Sequence, residues 1–297
     1  MGWLLRLGLW LAQWASPAAA WRISGWLAGL FQRLDTDAAQ TTRINVETCF
    51  PQLDENQRSA LCRQSLQHMV LLFFEFAQLA YWPREKLLAR ITEVQGKEYL
   101  EEYAANRLGA LVLVPHFGNW ELFCAYLGAE YGFAALYDPP KISSLEPIIL
   151  SARERFNGKL FAIGAAGMRS LLRSLQNGEL VGLLPDQVPN REQGVYAPFF
   201  GHPALTMRLA HRLAVKSHDR VVIVGIERVA DSSGYHYRIH IEPLVEDPSE
   251  LDEQEFAAVM NRSIERLVLR APAQYQWEYK RFKRPPEKGQ PNIYRRQ

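Results

Sequence analysis

The chain has 297 residues, 48% of them hydrophobic and 11% aromatic, which is enough to bury a sizeable core and excludes disorder as the main state. The formal net charge is only +2, and no helix-turn-helix, zinc or RNA-recognition signature accompanies it, which argues against nucleic acid as a partner. No uninterrupted apolar run reaches the ~18 residues of a membrane span, which excludes a polytopic membrane protein.

The first 34 residues are unusual. Five of the 8 Trp fall within the first 26 positions. Trp3, Trp10, Trp14 and Trp21 are spaced to share one face of a helix. Trp favours the membrane–water interface and Arg reaches lipid phosphates, so residues 1–34 read as a segment anchored in or on a bilayer. Pro17 is expected to kink or split it. A soluble packed helix and a cleaved signal peptide, with Ala18-Ala19-Ala20 as the cut, are the competing readings. Against the signal peptide, Arg6 interrupts the apolar run and a second apolar helix follows the supposed cut.

From residue 54 onward the pattern is mixed. Asp54 with Gln57 three residues later caps a long helix over 54–80. Strands are expected at Ile91–Gln95, Leu111–Pro115, Lys159–Ile163 and Leu180–Leu184. Helices are expected at Lys97–Asn106, Trp120–Tyr131, Ser143–Phe156, Met168–Gln176, Pro203–Ser217 and Leu251–Leu269. Val221–Val229 and Tyr235–Glu242 read as a hairpin across an Asp231–Gly234 turn. This alternation predicts an α/β domain with a mixed, mostly parallel sheet flanked by helices. The expected divisions are an anchor at 1–34, one domain at 35–286 and a basic tail at 287–297.

Charge is unevenly spread. Residues 1–34 carry +3 and the segment from Tyr279 carries +6, which leaves −7 for the remainder. Two basic ends suit an anionic surface or partner. Cys49, Cys62 and Cys124 show no metal spacing and read as reduced core thiols.

The stretch Val112-Leu-Val-Pro-His116-Phe-Gly-Asn-Trp-Glu121 carries the chemistry. A buried strand ends at Pro115, and Asn119 caps a following helix. His116 then sits at the carboxyl end of a strand, where ligands of open α/β sheets bind. Gly118 and Asn119 let the chain turn, so that the Glu121 carboxylate can reach one imidazole nitrogen and leave the other as a base. Backbone N–H groups around Gly118–Trp120 would face a developing oxyanion. Taken alone, a His-x4-Glu pair is most often a structural hydrogen bond. No third ligand is spaced for a metal, and no nucleophile lies close in sequence.

His116-Phe-Gly-Asn-Trp-Glu121 resembles the His-x4-Asp/Glu motif of glycerolipid and lipid A acyltransferases, and its His-Phe-Gly-Asn-Trp form is similar to the lauroyl- and myristoyl-transferring lipid A branch. Further stretches agree in order. They are Arg43-Ile-Asn-Val-Glu-Thr-Cys-Phe-Pro51, Leu184-Pro185-Asp186-Gln187, Pro198-Phe199-Phe200-Gly201 with Pro203-Ala204-x-Thr206, and Ala271-Pro272-x-Gln274-Tyr275-x-Trp277 with Lys280-Arg281-Phe282-Lys283. The Gly-x-x-Phe-Ile-x-Arg block of related enzymes is incomplete here, since Gly158-Lys-Leu-Phe161-Ala-Ile-Gly164 lacks its Arg.

The resemblance implies acyl transfer from an acyl carrier protein thioester to a hydroxyl of a lipid A precursor, at the cytoplasmic face of the inner membrane. His116 would be the base, Glu121 its orienting carboxylate, and no metal or cofactor is needed. Gly118 and Asn119 would contribute to substrate binding. Arg153, Arg155 or Arg169 would replace the missing phosphate-binding Arg, and Asp186 would orient the acceptor or position an Arg. Another membrane lipid as acceptor, water as acceptor, or an inactive lipid-binding protein are the alternatives.

Overall fold

The computed structural model describes residues 2–139, 146–218, 220–248, 250–287 and 289–294. Pro17 splits the N-terminal segment, as expected from its sequence. Helix α1 (Gly2–Ala12) ends before it, and α2 (Pro17–Arg33) starts on it, with the Ser16 hydroxyl accepting from the Ala19 N–H. The single Trp face does not survive that break. Trp3, Trp10 and Trp14 are exposed, whereas Trp21 turns inward against His68 and Tyr235. Helix α3 (Asp37–Cys49) follows, and then the long α4 (Glu55–Tyr81) with the expected Asp54–Gln57 capping box. Both α1 and α2 pack along α4.

The remaining elements alternate. They are α5 (Arg84–Leu88), β1 (Ile91–Gln95), α6 (Lys97–Ala105), β2 (Ala110–Leu113), α7 (Trp120–Glu130), β3 (Phe133–Tyr137), α8 (Glu146–Glu154), β4 (Gly158–Ala162), α9 (Ala165–Gln176) and β5 (Leu180–Leu183). A hairpin of β6 (Gly194–Phe199) and β7 (His202–Met207) precedes α10 (Arg208–Lys216). Strands β8 (Val221–Asp231) and β9 (Gly234–Pro243) and helix α11 (Glu253–Val268) complete the domain. Residues 143–145 of the helix expected over Ser143–Phe156 lie outside the described residues.

The main sheet has seven strands in the order β1-β9-β8-β2-β5-β3-β4. Pairs among β2, β3, β4, β5 and β8 are parallel, and the β8–β9 hairpin is antiparallel, so the sheet is mixed and mostly parallel. The alternating pleat of β2 divides the core. Ala110 and Val112 face a cluster that includes Leu122, Phe123 and Leu127 of α7. Leu111 and Leu113 face one that includes Leu171 of α9, Leu213 of α10 and Ile264 of α11. Burial on both sides explains why β2 and β5 are continuous apolar runs rather than alternating ones.

One expected helix begins too early. Residues 202–207 are strand β7, and the helix starts only at Arg208. Here Pro203 pairs with Pro198 in a two-stranded ladder, and Thr206 is buried between Arg281 and Asn261.

Candidate active site

The site lies beyond the carboxyl ends of β2 and β5, two neighbouring parallel strands in register Leu113↔Leu183. Beyond β2 the chain runs Val114-Pro115-His116, and beyond β5 it runs Leu184-Pro185-Asp186, so adjacent strands deliver His116 and Asp186 side by side. His116 Nδ1 lies 2.7 Å from Asp186 Oδ1, and the His116 N–H donates to Asp186 Oδ2 at 2.9 Å. Both residues are buried, His116 at 6% and Asp186 at 3% exposure. Burial would raise the Asp186 carboxyl, but the His116 charge and the hydrogen bonds from its ring and N–H outweigh it and hold the group below its ordinary range. An ionised Asp186 accepts, so Nδ1 carries the proton, and in the neutral form of the ring Nε2 keeps its lone pair. Gln187 Nε2 donates to that lone pair at 3.1 Å, in the place a substrate hydroxyl would take.

Glu121 is therefore not the partner of His116. It accepts a two-pronged ion pair from Arg153, Nε to Oε2 at 3.0 Å and Nη2 to Oε1 at 2.6 Å. The reason is geometric. Asn119 caps α7 by accepting from the Leu122 N–H, and the first helical turn carries Glu121 toward α8 instead of back to the ring. The Glu121 charge makes the Arg153 guanidinium still harder to deprotonate. With both prongs on Glu121, Arg153 is engaged within the protein. Arg155 donates to the carbonyls of Leu79, Ala80 and Trp82, and Arg169 is exposed on α9 away from the cavity beside His116. Asp186 likewise spends both oxygens on His116 rather than on an Arg.

The Gly118–Asn119 turn is held from behind. The Gly118 N–H donates to the Gln274 carbonyl at 2.9 Å and the Asn119 N–H to the Ile226 carbonyl at 3.0 Å. These two groups are not open to an oxyanion, contrary to the sequence expectation. The N–H groups of Trp120 and Glu121 belong to the first turn, which a helix cannot satisfy from within. Behind the turn, Asn119 Nδ2 donates to the Tyr237 hydroxyl, which donates to Glu75. Glu75 holds Arg228 through two hydrogen bonds, and the Gln274 amide clamps the N–H and carbonyl of Arg228.

Sequence reasoning missed this support, and it missed two residues beside the dyad. The Tyr275 hydroxyl bonds Asp186, and burial with the Asp186 charge pushes the phenol well up. Glu278 is half-buried with Gln276 and the His116 charge near it; burial pushes its carboxyl up to about 7. The family stretches that looked unrelated in sequence converge here. Asn45 donates to the carbonyls of Trp277 and Tyr279, and Arg281 donates to Leu205 and Thr206. A shared signature without obvious chemistry was the only signal that could have found them.

A cavity of about 380 Å³ opens beside His116, walled by Trp120, Glu121, Phe123, Cys124, Arg153, Gln187 and the upper faces of β3 and β5. Among the described residues no Ser or Thr lines it. Burial pushes the Cys124 thiol up to about 12, which keeps it un-ionised and a poor nucleophile. Cys62 is likewise pushed up to about 11, and Cys49 further, which fits inert core thiols. Among the described residues no group of three His, Cys, Asp or Glu is placed to hold a metal ion. The arrangement suits a His base acting on a bound hydroxyl, without a covalent enzyme intermediate.

The family profile for bacterial lipid A biosynthesis acyltransferases matches residues 1–284. This chain belongs to that family. The lipid A biosynthesis palmitoleoyltransferase of Escherichia coli K12 is 31% identical over 254 residues, covering 85% of this chain and 80% of the relative. The lauroyltransferase of the same organism is 28% identical over 296 residues, covering 98% and 95%. The myristoyltransferase is 29% identical over 263 residues, covering 87% and 80%. The chain is thus an acyltransferase, as its motifs implied.

Proposed function

We propose that the enzyme transfers a fatty acyl chain from an acyl carrier protein thioester to a hydroxyl of a lipid A precursor. The His116–Asp186 pair at the strand ends, with Nε2 facing the cavity, is the observation that carries this reading. His116 Nε2 takes the proton of the acceptor hydroxyl, and the oxygen attacks the thioester carbonyl. The tetrahedral intermediate expels the thiolate, which takes the proton back from the imidazolium. Asp186 fixes the tautomer and stabilises the imidazolium. The first-turn N–H groups of α7 and the Gln187 amide are the donors nearest the developing oxyanion. Glu121 and Arg153 shape the cavity mouth as an ion pair.

Both substrates explain the ends of the chain. A lipid acceptor lies in a membrane, and α1 and α2 offer an exposed apolar face to the cytoplasmic leaflet of the inner membrane. Carrier proteins are acidic, and Lys280, Lys283 and Arg284 suit them. Arg281 is buried and so is not part of that basic surface.

Mass spectrometry of lipid A from cells with the gene, without it, and with His116→Ala tests the reading. One acyl chain is expected to be missing in both altered strains. Unchanged lipid A in both would sink the acceptor, and the total lipid extract would then show which other lipid is acylated.

A further inference from the structure

The reaction proposed above brings two acyl-bearing molecules together, and two apolar cavities meet at Trp120, Glu121 and Arg153. The first is a groove of about 340 Å³ between Leu5 and Leu9 of α1, Phe73 and Phe76 of α4, and Ile148 and Ile149 of α8. Its α1 wall is Leu5 and Leu9, on the side of that helix opposite the exposed Trp residues, so the groove runs beneath the face that would meet a lipid already in the membrane. The second is the cavity beside His116. It descends inside the domain, between α7 and the face of β3, β4 and β5 that looks toward it.

Sequence explains why this second space exists. Along β5, Leu180 packs toward α7 and Val181 and Leu183 pack the other way, so position 182 should fill the α7 side. It is Gly182, and a Cβ there would find nothing closer than 3.9 Å. Its neighbour on β3 is Ala135, in direct register, which is also small. Two small residues side by side leave a slot. Phe133 closes it. This ring is buried and presses on Gly158, where an added Cβ would lie 2.8 Å away. Phe133 also lines the outer cavity formed by Arg107, Lys159 and Glu179, so it is the partition between slot and surface.

We infer that this slot holds the donor acyl chain, and that Ala135, Gly182 and Phe133 set the chain length the enzyme transfers. The slot begins at the base and ends blind, as a measuring site must, while the α1 groove is left to the acceptor's own chains. From Tyr137 to Phe133 it is about 13 Å deep at ~3.3 Å per strand residue. That accommodates roughly ten carbons at the ~1.3 Å advance of a zigzag of ~1.5 Å bonds. The inference rests on the proposed reaction.

The test offers the full chain a mixture of acyl carrier protein thioesters of eight to sixteen carbons with a lipid A precursor, and reads products by mass spectrometry. Wild type is expected to prefer medium chains over palmitoyl. Ala135→Leu and the milder Gly182→Ala should shift the preferred chain shorter, with roughly a fourfold loss per methylene excluded, while the shortest donors keep their rate. Phe133→Leu should shift it longer. If Ala135→Leu fails to fold, Gly182→Ala still decides, because its Cβ fits at ordinary contact distance, 3.9 Å from Ala135 and Phe133. Transfer with an unaltered length profile in the folded variants would overturn the inference and leave the reaction standing. No transfer by wild type from any thioester would overturn the reaction, and the inference with it.

Discussion

Single atoms decide the chemistry of this site. Asp186 accepts the Nδ1 proton of His116, and that one hydrogen bond decides which ring nitrogen is free. Asp186→Asn can donate to Nδ1 instead and leave the wrong tautomer, so kcat is expected to fall by ~10³-fold or more. Steady-state kinetics on a variant with an unchanged melting profile would check this, and a loss below tenfold would mean that Asp186 merely packs. Glu278 gives a pH prediction of the opposite sign from most carboxylates. Burial raises it from 4.5 to about 7, against the charges of His116 and Arg228 and its hydrogen bond with Gln276. The folded state therefore holds this proton more tightly than the unfolded chain. The stability it contributes is full below about pH 4 and lost as pH rises to about 7. Glu278→Gln should remove that loss and stabilise the protein at pH 8 by about 2 kcal/mol, with little change at pH 4. Denaturant melts at the two pH values give the comparison, and a pH-independent difference would refute it.

At the scale of elements, the β2–α7 turn is the most constrained piece of backbone. Gly118 has φ of +60°, and a Cβ there would lie 1.6 Å from the Ile226 carbonyl oxygen on β8. Gly118→Ala should therefore cost about 3 kcal/mol or more, since both conformation and contact must give way. A urea melt that moves by less than about 1 kcal/mol would show that the turn can relax. This turn was legible in the sequence, because a buried apolar run ending in Pro115-His116 and followed by Gly118-Asn119 dictates strand, turn and capped helix. The partner of His116 was not. Glu121 is near in sequence, whereas Asp186 is near only because β5 pairs with β2, and strand order is a property of the whole sheet. The same limit explains the misread residues 202–207. A short segment holding Ala204, Leu205 and Met207 suits a helix by itself, and only the ladder with β6 and the burial of Thr206 make it a strand. Phe133–Tyr137 escaped for a like reason, since five apolar residues between two helices carry no period of their own.

For the whole molecule, the question is which surface meets the lipid. Helix α1 is apolar on both sides. Leu9 is buried against the domain, and Phe73 of α4 lies beside Gly8. The other side exposes Trp3, Leu7, Trp10, Leu11 and Trp14, at helical spacings of three and four, and α2 adds Ile23 and Trp26. An apolar stripe of this size at the surface of a monomer calls for a partner, and Trp at its rim suits a headgroup region. Among the described residues no helix is long and apolar enough to cross a membrane. On the function proposed above, this is the face that would lie on the bilayer, with Arg22 and Arg33 near its anionic phosphates. Replacing one exposed Trp by Ser should weaken vesicle binding roughly tenfold, since about 1.5 kcal/mol or more of apolar burial is lost. Replacing Trp3, Trp10 and Trp14 together should leave the protein largely in the supernatant when anionic vesicles are pelleted. Turnover on a detergent-dispersed acceptor should change little, because none of the three lines the cavity beside His116. If the triple variant still pelleted with vesicles, α1 would not be the docking face. If it bound poorly and also lost turnover in detergent, the helix would be shaping the α1 groove for the acceptor as well as holding the enzyme at the membrane.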